Sequence, residues 1–154
     1  MPASDAPGPA FIPSLIYRDN RAALHWLETA FGFETSEVLT DGEGNIVHAQ
    51  MTHAGGIIMI GNEWADWTRS PASLDGRNTQ RLHVRIASDI DAHCERARRA
   101  GAVIAKEPSN EFYGDRTYMA KDPEGHSWSF FQPVQEVTRA EMEAASGFTF
   151  QPLA

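Results

Sequence analysis

The same order of predicted elements occurs twice along this chain. Each half is predicted to form a strand, a helix and three further strands, over residues 11–61 and again over residues 81–133. The glycine that ends each helix, Gly32 or Gly101, is followed at the same spacing by a second glycine in a turn. A repeat of this kind places its helices on one face of the sheet and leaves the other face to curl. We therefore predict an α+β fold of two tandem βαβββ modules.

The last predicted strand has two different faces. It follows the segment DPEG, residues 122–125, whose proline and glycine are typical of a tight turn. Because side chains alternate along a strand, Trp128 and Phe130 share one face, which suits burial beneath a helix. Ser127 and Ser129 share the opposite face. That face is too small and polar for the main core, and we expect it to line a cavity.

Two segments of different composition flank the domain of residues 11–133. Residues 1–10 are rich in proline and alanine, which predicts a flexible N-terminal tail. In the C-terminal segment, residues 134–154, TRAE at 138–141 has the form of a capping box that begins a short helix. The last residues carry two phenylalanines, so we expect them to pack against the body of the protein or against a partner subunit.

Charge and cysteine content exclude several classes of protein. A net charge of −8 and a pI near 5.1 argue against a nucleic-acid or anionic-membrane surface, since both need clustered lysine and arginine. The single cysteine, Cys94, excludes an internal disulfide and any zinc site made of several cysteines. The sequence has neither a signal peptide nor an apolar run of about 20 residues. We expect a cytoplasmic protein with no nucleic-acid or membrane partner.

Two sequence segments in the second half resemble those of a known superfamily. They are HVRIASDIDAHCERARRAGA at 83–102 and YGDRTYMAKDPEGHSW at 113–128. Together with the repeat, they resemble the vicinal-oxygen-chelate superfamily, which contains glyoxalases, bleomycin-resistance proteins and extradiol dioxygenases. The resemblance covers residues 11–133 and implies a cupped, mostly antiparallel sheet with the helices on its outer face. It also implies two subunits, so we expect a homodimer.

The metal-using members of that superfamily hold one divalent ion in the cup with four ligands, one from each of four strands. Carried over, the first position is Ile12, and the second is Met59, or Ile60 if the register differs by one. The position on the last strand is Ser129. Isoleucine and methionine cannot replace the nitrogen and oxygen donors that such an ion requires, and a serine hydroxyl is a weak substitute for glutamate. The resemblance therefore implies a metal-free member; the alternative is a divalent metal held in a non-standard way.

The remaining position, at the start of the second module, has two candidates. Counting back from the predicted helix gives Leu82, whereas strand alternation places His83 and Arg85 in the cup. We favour His83, because Arg85 would otherwise be a poorly compensated charge beneath the helices.

Several side chains are candidates for contact with a small ligand in the cup. Trp64 and Trp67, in the polar loop after the first module, have flat rings on which a ligand can stack. Arg116 and Tyr118 alternate together on a strand and are predicted to clamp an anionic or phenolic group. With the polar side chains expected in the cup, the predicted ligand-binding set is His48, Gln50, Trp64, Trp67, His83, Arg85, Arg116, Tyr118 and Ser129. The negative net charge favours a cationic ligand.

These features predict a protein that binds a small organic molecule in its cup. The alternative is a metal- or histidine-dependent enzyme of the same superfamily, a lyase, isomerase or dioxygenase, in which His48 and His83 bind a metal or transfer protons. No catalytic residue is identified from the sequence. The other histidines, His25, His53, His93 and His126, are predicted to be structural or exposed.

Overall fold

The structure, a computed structural model, describes residues 8–153, so residues 1–7 of the predicted N-terminal tail lie outside it. The first module comprises β1 (Ser14–Tyr17), α1 (Asn20–Phe31), β2 (Glu34–Thr40), β3 (Ile46–His53) and β4 (Gly56–Asn62). The second comprises β5 (Leu82–Arg85), α2 (Ile90–Arg99), β6 (Val103–Asn110), β7 (Asp115–Lys121) and β8 (Ser127–Pro133). A short 3-10 helix (Pro71–Ser73) lies between the modules, and α3 (Arg139–Ser146) follows them.

The strands form two four-stranded mixed sheets, one from each module. Their orders are β1-β4-β3-β2 and β5-β8-β7-β6. In each sheet the first strand of the module pairs in parallel with the last one, whereas the other pairs are antiparallel. The predicted α+β fold of two tandem βαβββ modules is confirmed.

The first strand is shorter than the sequence predicts. A strand is expected from residue 11, but β1 begins at Ser14. Pro13 has no N–H group to donate to a neighbouring strand, although its carbonyl accepts a hydrogen bond from the N–H of Met59 at 2.8 Å. Regular pairing therefore starts only after the proline.

An aspartate caps the start of each module's helix. The side chain of Asp19 accepts a hydrogen bond from the N–H of Ala22 at α1, and Asp89 accepts one from Ala92 at α2. Gly32 ends α1 with φ 75°, in the left-handed region that glycine adopts without a steric penalty. These local signals fix both helices where the repeat predicts them.

The two helices pack against each other on one face of both sheets. Phe31, at the end of α1, is fully buried, and its ring centroid lies 5.2 Å from that of Trp128 and 4.6 Å from that of Phe130. Trp26 of α1 donates its indole N–H to the carbonyl of Ala100, after α2, at 2.7 Å. The aromatic face of β8 thus belongs to the core, where the sequence predicts it.

The C-terminal segment contributes nothing to that core. α3 begins at the predicted capping box, in which Thr138 and Glu141 each accept a hydrogen bond from the other's backbone N–H. No residue of α3 is buried, and Phe148 beyond it is 72% exposed. The segment contacts the body at its start, where the N–H groups of Val134 and Gln135 donate to the carbonyl of Gly114, whereas Phe148 stays mostly exposed. Among residues 8–153, no helix is both long and apolar enough to cross a bilayer.

Candidate functional site

The face of each sheet that is turned away from α1 and α2 is called the open face below. Buried hydrophobic residues mark the opposite, core face, and alternation along the strands then assigns the rest, including Thr117 and Ser129, which are buried although they lie on the open face. In the first module the open face includes Ser14, Ile16, His48, Gln50 and Met59, which alternate with buried Leu15, Tyr17, Ala49, Met51, Ile58 and Ile60. In the second module the open-face residues are Arg81, His83, Arg85, Thr117, Met119, Ser127, Ser129 and Phe131. The core-facing residues with which they alternate are Leu82, Val84, Tyr118, Ala120, Trp128 and Phe130.

Two cross-strand pairs occupy corresponding places on the two open faces. Ser14 of β1 lies opposite Met59 of β4, and His83 of β5 lies opposite Ser129 of β8. Both pairs join the parallel strands of their sheets, and neighbouring strands lie about 4.8 Å apart. We call Ser14, Met59, His83 and Ser129 the paired residues.

The register of the first strand identifies the partner of Met59. Ile12, the position that the family resemblance gives on this strand, precedes β1, and Ser14 is the residue that pairs with Met59. The connection from strand to helix cap is longer in the second module, so counting back from the helix does not find equivalent residues in both. Ile60 is fully buried on the core face, which leaves Met59 on the open face.

Strand alternation, and not counting from the helix, identifies the residue opposite Ser129. His83 is exposed on the open face together with Arg85. Leu82 is half-buried and packs against the hydrophobic core. The arginine is thereby kept in solvent and away from the helices.

The paired residues do not fit a divalent metal ion. His83 is the one member with a side chain that commonly binds such an ion, since Ser14 and Ser129 supply neutral hydroxyls and Met59 a soft thioether. Within residues 8–153, no group of three or more His, Cys, Asp or Glu side chains is placed to hold a metal.

His48 and Gln50 lie half-buried on the open face of the first module, the side that the alternation of β3 predicts. The amide nitrogen of Gln50 lies 3.4 Å from a carboxylate oxygen of Glu37 on β2. His48 lies opposite Gly61 of β4, and the side chain of Ile16 on β1 packs against that glycine. Both polar groups are thus placed beside Met59 on the same surface.

Arg116 and Tyr118 do not lie on the open face. Tyr118 is fully buried on the core face, with its hydroxyl 2.6 Å from Nδ1 of His93 on α2. Arg116 is held by Asp91 of α2, with 2.8 Å between Nη2 and Oδ1. This corrects the sequence assignment: alternation groups the two residues, but it does not say which face the helix covers. The predicted clamp is not part of the site.

Trp64 and Trp67 lie in the loop between β4 and β5. Their rings pack edge to face with 4.6 Å between centroids, and they are 66% and 76% exposed. Trp67 lines a groove of about 220 Å³ together with Ser14 and Ile16 of β1. The loop thus places an exposed aromatic ring beside the open face of the first module.

The DPEG turn joins the modules and takes no part in the open face. Asp122 is buried, and its Oδ2 accepts hydrogen bonds from the hydroxyl of Tyr17 at 2.6 Å and from the indole N–H of Trp128 at 3.1 Å. Its Oδ1 accepts hydrogen bonds from the backbone N–H groups of Glu124 and His126. All four donors satisfy one buried carboxylate, which is the condition for burying a charge at low cost.

Glu124 of the same turn holds the loop that carries the tryptophans. Its carboxylate accepts hydrogen bonds from the backbone N–H groups of Arg18 and Asp19, and from the hydroxyl of Ser70 at 2.7 Å. Ser70 is fully buried. We call Asp122 and Glu124 the clasp. The sequence analysis did not predict the role of the clasp. The clue was that the DPEG turn contains two acidic residues, although the turn geometry itself requires only the proline and the glycine.

The remaining histidines are structural or exposed, as the sequence predicts. His25 is exposed on α1, whereas ring nitrogens of His53, His93 and His126 lie within hydrogen-bond distance of the carbonyls of Gly32, Phe31 and Ile16. Burial lowers the pKa of His93. These contacts leave His48 and His83 as the open-face histidines.

An apolar groove of about 290 Å³ lies between the start of β4 and β5. Its walls include Phe11, Pro13, Phe33 and Ile57, and it extends along β5 to His83 and Arg85. The junction of the modules therefore offers apolar surface next to the polar residues of the second open face.

Comparison with known proteins gives a consistent family match. A family model described as the Glyoxalase/Bleomycin resistance protein/Dioxygenase superfamily matches residues 12–130. An uncharacterized protein of Mycobacterium bovis is 30% identical over 141 residues, which cover 89% of this chain and 91% of that protein. A Mycobacterium tuberculosis protein is also 30% identical, over 89% of this chain and 82% of its own length.

Solved structures share the fold. TioX from Micromonospora sp. ML1 is 32% identical with a TM-score of 0.67, over 82% of this chain and 100% of TioX. TnmS3, an antibiotic binding protein from Streptomyces sp. CB03234, is 20% identical with a TM-score of 0.61, over 83% of this chain and 99% of its own. The fosfomycin resistance protein FosX from Listeria monocytogenes, complexed with Mn(II) and sulfate ion, is 18% identical with a TM-score of 0.62, over 91% of this chain and 98% of FosX.

Proposed function

This chain belongs to the glyoxalase/bleomycin resistance protein/dioxygenase superfamily, and within it we propose that the protein binds a small organic molecule on its open faces without a resident metal ion. The observation that carries the proposal is the chemistry of the paired residues. By the family resemblance, Met59 and Ser129 take positions where metal-using relatives have ligands. Ser14 pairs with Met59, and His83 is the one member of the four whose side chain commonly binds a divalent ion.

The open faces have the mixed chemistry of a ligand surface. Met59, Met119 and Phe131 supply apolar area, half-buried His48 supplies a polar group among them, and Ser129 lies beneath that surface with 5% exposure. Binding sites for small molecules are mostly apolar with a few placed polar groups. The fold similarity to TnmS3, an antibiotic binding protein, supports the same class of ligand.

A second copy of the chain completes the site in this proposal. His83 and Arg85 are exposed. Trp64 and Trp67 are also largely exposed, and Trp67 lines a groove with Ser14 and Ile16 of the first open face. A ligand site buries most of its ligand, so the open faces need a cover. The exposed Phe148 of the C-terminal segment gives a partner copy apolar surface to bury.

The test combines metal analysis of the purified protein with a thermal-shift screen of small aromatic antibiotics and glutathione adducts. We expect less than stoichiometric Zn, Ni, Fe and Mn, and a higher melting temperature with at least one organic compound, because a ligand that binds only the folded state stabilises it by mass action.

A matched pair of variants separates the proposal from an enzyme that uses a metal. His83→Ala removes the open-face imidazole, whereas His25→Ala removes an exposed histidine of α1. Stoichiometric metal that His83→Ala releases and His25→Ala retains would overturn the proposal and favour the lyase, isomerase or dioxygenase alternative. A protein that neither holds metal nor responds to any compound would argue against ligand binding itself.

A further inference from the structure

Three basic side chains follow one another along the open face of β5. Arg81, just before the strand, and His83 and Arg85 within it are exposed, and they alternate with Leu82 and Val84, which pack against the core. Successive residues on one face of a strand are about 7 Å apart, so the three groups form a row along the second module.

The side chain of Arg81 extends across the face of β8 that carries Ser127 and Ser129. A guanidinium nitrogen of Arg81 lies 3.7 Å from the sulfur of Met119. Met119 is on β7, opposite Ser129 of the intervening β8. The arginine therefore crosses β8 above its serines, and their small side chains leave it room to do so. Larger residues at these positions would block this path.

The two arginines of the row form no salt bridge within the part of the chain that the structure describes. Within residues 8–153, the ion pairs involve other cations, and neither Arg81 nor Arg85 has a carboxylate partner. Lys106 on β6 does have one: it pairs with Glu111, whose carboxylate also accepts a hydrogen bond from Thr117.

A tyrosine lies at the same end of the surface. Burial raises the pKa of Tyr113, and the nearby carboxylates of Glu111 and Asp115 raise it further, whereas Arg81 acts in the opposite direction. Tyr113 lies in the loop between β6 and β7.

We propose that the row formed by Arg81, His83 and Arg85 binds an anionic group of the ligand above Ser129. This inference rests on the proposed function and specifies its ligand class: a small organic anion, with its apolar part against Met119 and Phe131. It differs from the expectation of a cationic ligand, because the net charge of −8 acts over the whole surface whereas binding depends on the groups that face the ligand.

The experiment compares ligands that differ in charge and little else. Carboxylates built on naphthalene, quinoline and biphenyl are tested beside their neutral carboxamides and their cationic aminomethyl analogues, by thermal shift and then by calorimetry. We expect each scaffold that binds to prefer the carboxylate by about tenfold or more, as charge-assisted hydrogen bonds to arginine imply. The preference should shrink at high salt, because exposed charges are screened.

Matched variants locate the preference on the protein. Arg81→Gln combined with Arg85→Gln should reduce carboxylate affinity about tenfold and leave carboxamide affinity unchanged. Arg99→Gln, which removes an exposed arginine of α2, should change neither. The carboxamide readout distinguishes a lost charge contact from a misfolded protein.

The outcomes separate this inference from the proposed function. If carboxamides or amines bind as well as carboxylates, ligand binding stands and the anion site is overturned. The anion site is also overturned if the double variant keeps the carboxylate preference. If no member of any scaffold series binds, the proposed function and the anion site both fail.

Discussion

The hydroxyl of Tyr17 donates a hydrogen bond of 2.6 Å to the buried carboxylate of Asp122, and this contact joins the two modules. Tyr17 is the last residue of β1, whereas Asp122 begins the turn before β8, 105 residues further along the chain. The same carboxylate oxygen also accepts the indole N–H of Trp128. Asp122 therefore supplies one of the contacts that fix the first open face relative to the second, together with Glu124 and the packing of α1 against α2.

Replacing the partners of this contact should destabilise the protein to different extents. Tyr17→Phe removes one donor and should lower the free energy of unfolding by about 1–2 kcal/mol. Asp122→Asn should cost more, about 2–4 kcal/mol, because an amide leaves two of the four donors without an acceptor whichever way it turns. Urea denaturation measures both changes.

The control for that series is Tyr113→Phe. The Tyr113 side chain is largely exposed, at 44%, so its variant should change the free energy of unfolding by less than about 0.5 kcal/mol. Equal losses in Tyr17→Phe and Tyr113→Phe would contradict the role of the clasp.

The three tyrosines of the chain should ionise in two separate steps. Burial raises the pKa of both Tyr17 and Tyr118, and for Tyr17 the charge of Asp122 raises it further. In the unfolded chain, tyrosine hydroxyls have a pKa of about 10 and lose their protons above that pH. In the folded protein, Tyr17 and Tyr118 keep their protons at the same pH. The unfolded state binds fewer protons above that pH, so stability should fall as the pH rises.

Tyrosinate absorbance, followed together with circular dichroism, tests this order. Tyr113 should ionise first, while the protein is still folded, and the other two only as it unfolds. Tyr113→Phe should remove the first step and keep the second. Ionisation of all three side chains in a protein with native circular dichroism would show that Tyr17 and Tyr118 are not protected.

Restoring metal ligands at the paired residues should create a metal site. Ser14→His, Met59→Glu and Ser129→Glu, combined with the native His83, supply imidazole and carboxylate donors from four strands. We expect the triple variant to bind Ni²⁺ or Zn²⁺ on the order of a hundredfold more tightly than the native chain, or about 2.7 kcal/mol. Its melting temperature should rise with metal concentration.

The matched control keeps the three substitutions and adds His83→Ala. It should lose most of the gained affinity, since one of the four donors is gone. Native protein that binds metal as tightly as the triple variant would show that the paired residues do not explain the metal chemistry of this chain.

Removal of residues 138–154 should leave the fold intact. No residue of α3 is buried, so the deletion should change the free energy of unfolding by less than about 0.5 kcal/mol. If the segment contacts a second copy, as proposed, sedimentation should show self-association weakened by about tenfold, or 1.4 kcal/mol. Phe148→Ser should produce part of that effect. A deletion that unfolds the chain would place the segment in the core instead.

The site was predictable where it depends on local pattern. Strand alternation correctly places Ser129 with His83 on one face and Trp128 in the core. It did not give the start of β1 at Ser14, because the starting point of a strand depends on its partner strand and on Pro13. Nor did it place Tyr118, because alternation gives two faces without saying which of them a helix will cover.

The sequence by itself determined the two βαβββ modules, their helix caps and the neutral side chains at Met59 and Ser129. These are properties of short segments, in which backbone preference and side-chain chemistry act between neighbours. Only the tertiary structure decided that Ser14 lies beside Met59, that Arg81 crosses β8 and that the DPEG turn closes the junction with Tyr17. Those relationships join residues far apart in the chain, and they exist only once packing of the helices has fixed the faces and registers of the sheets.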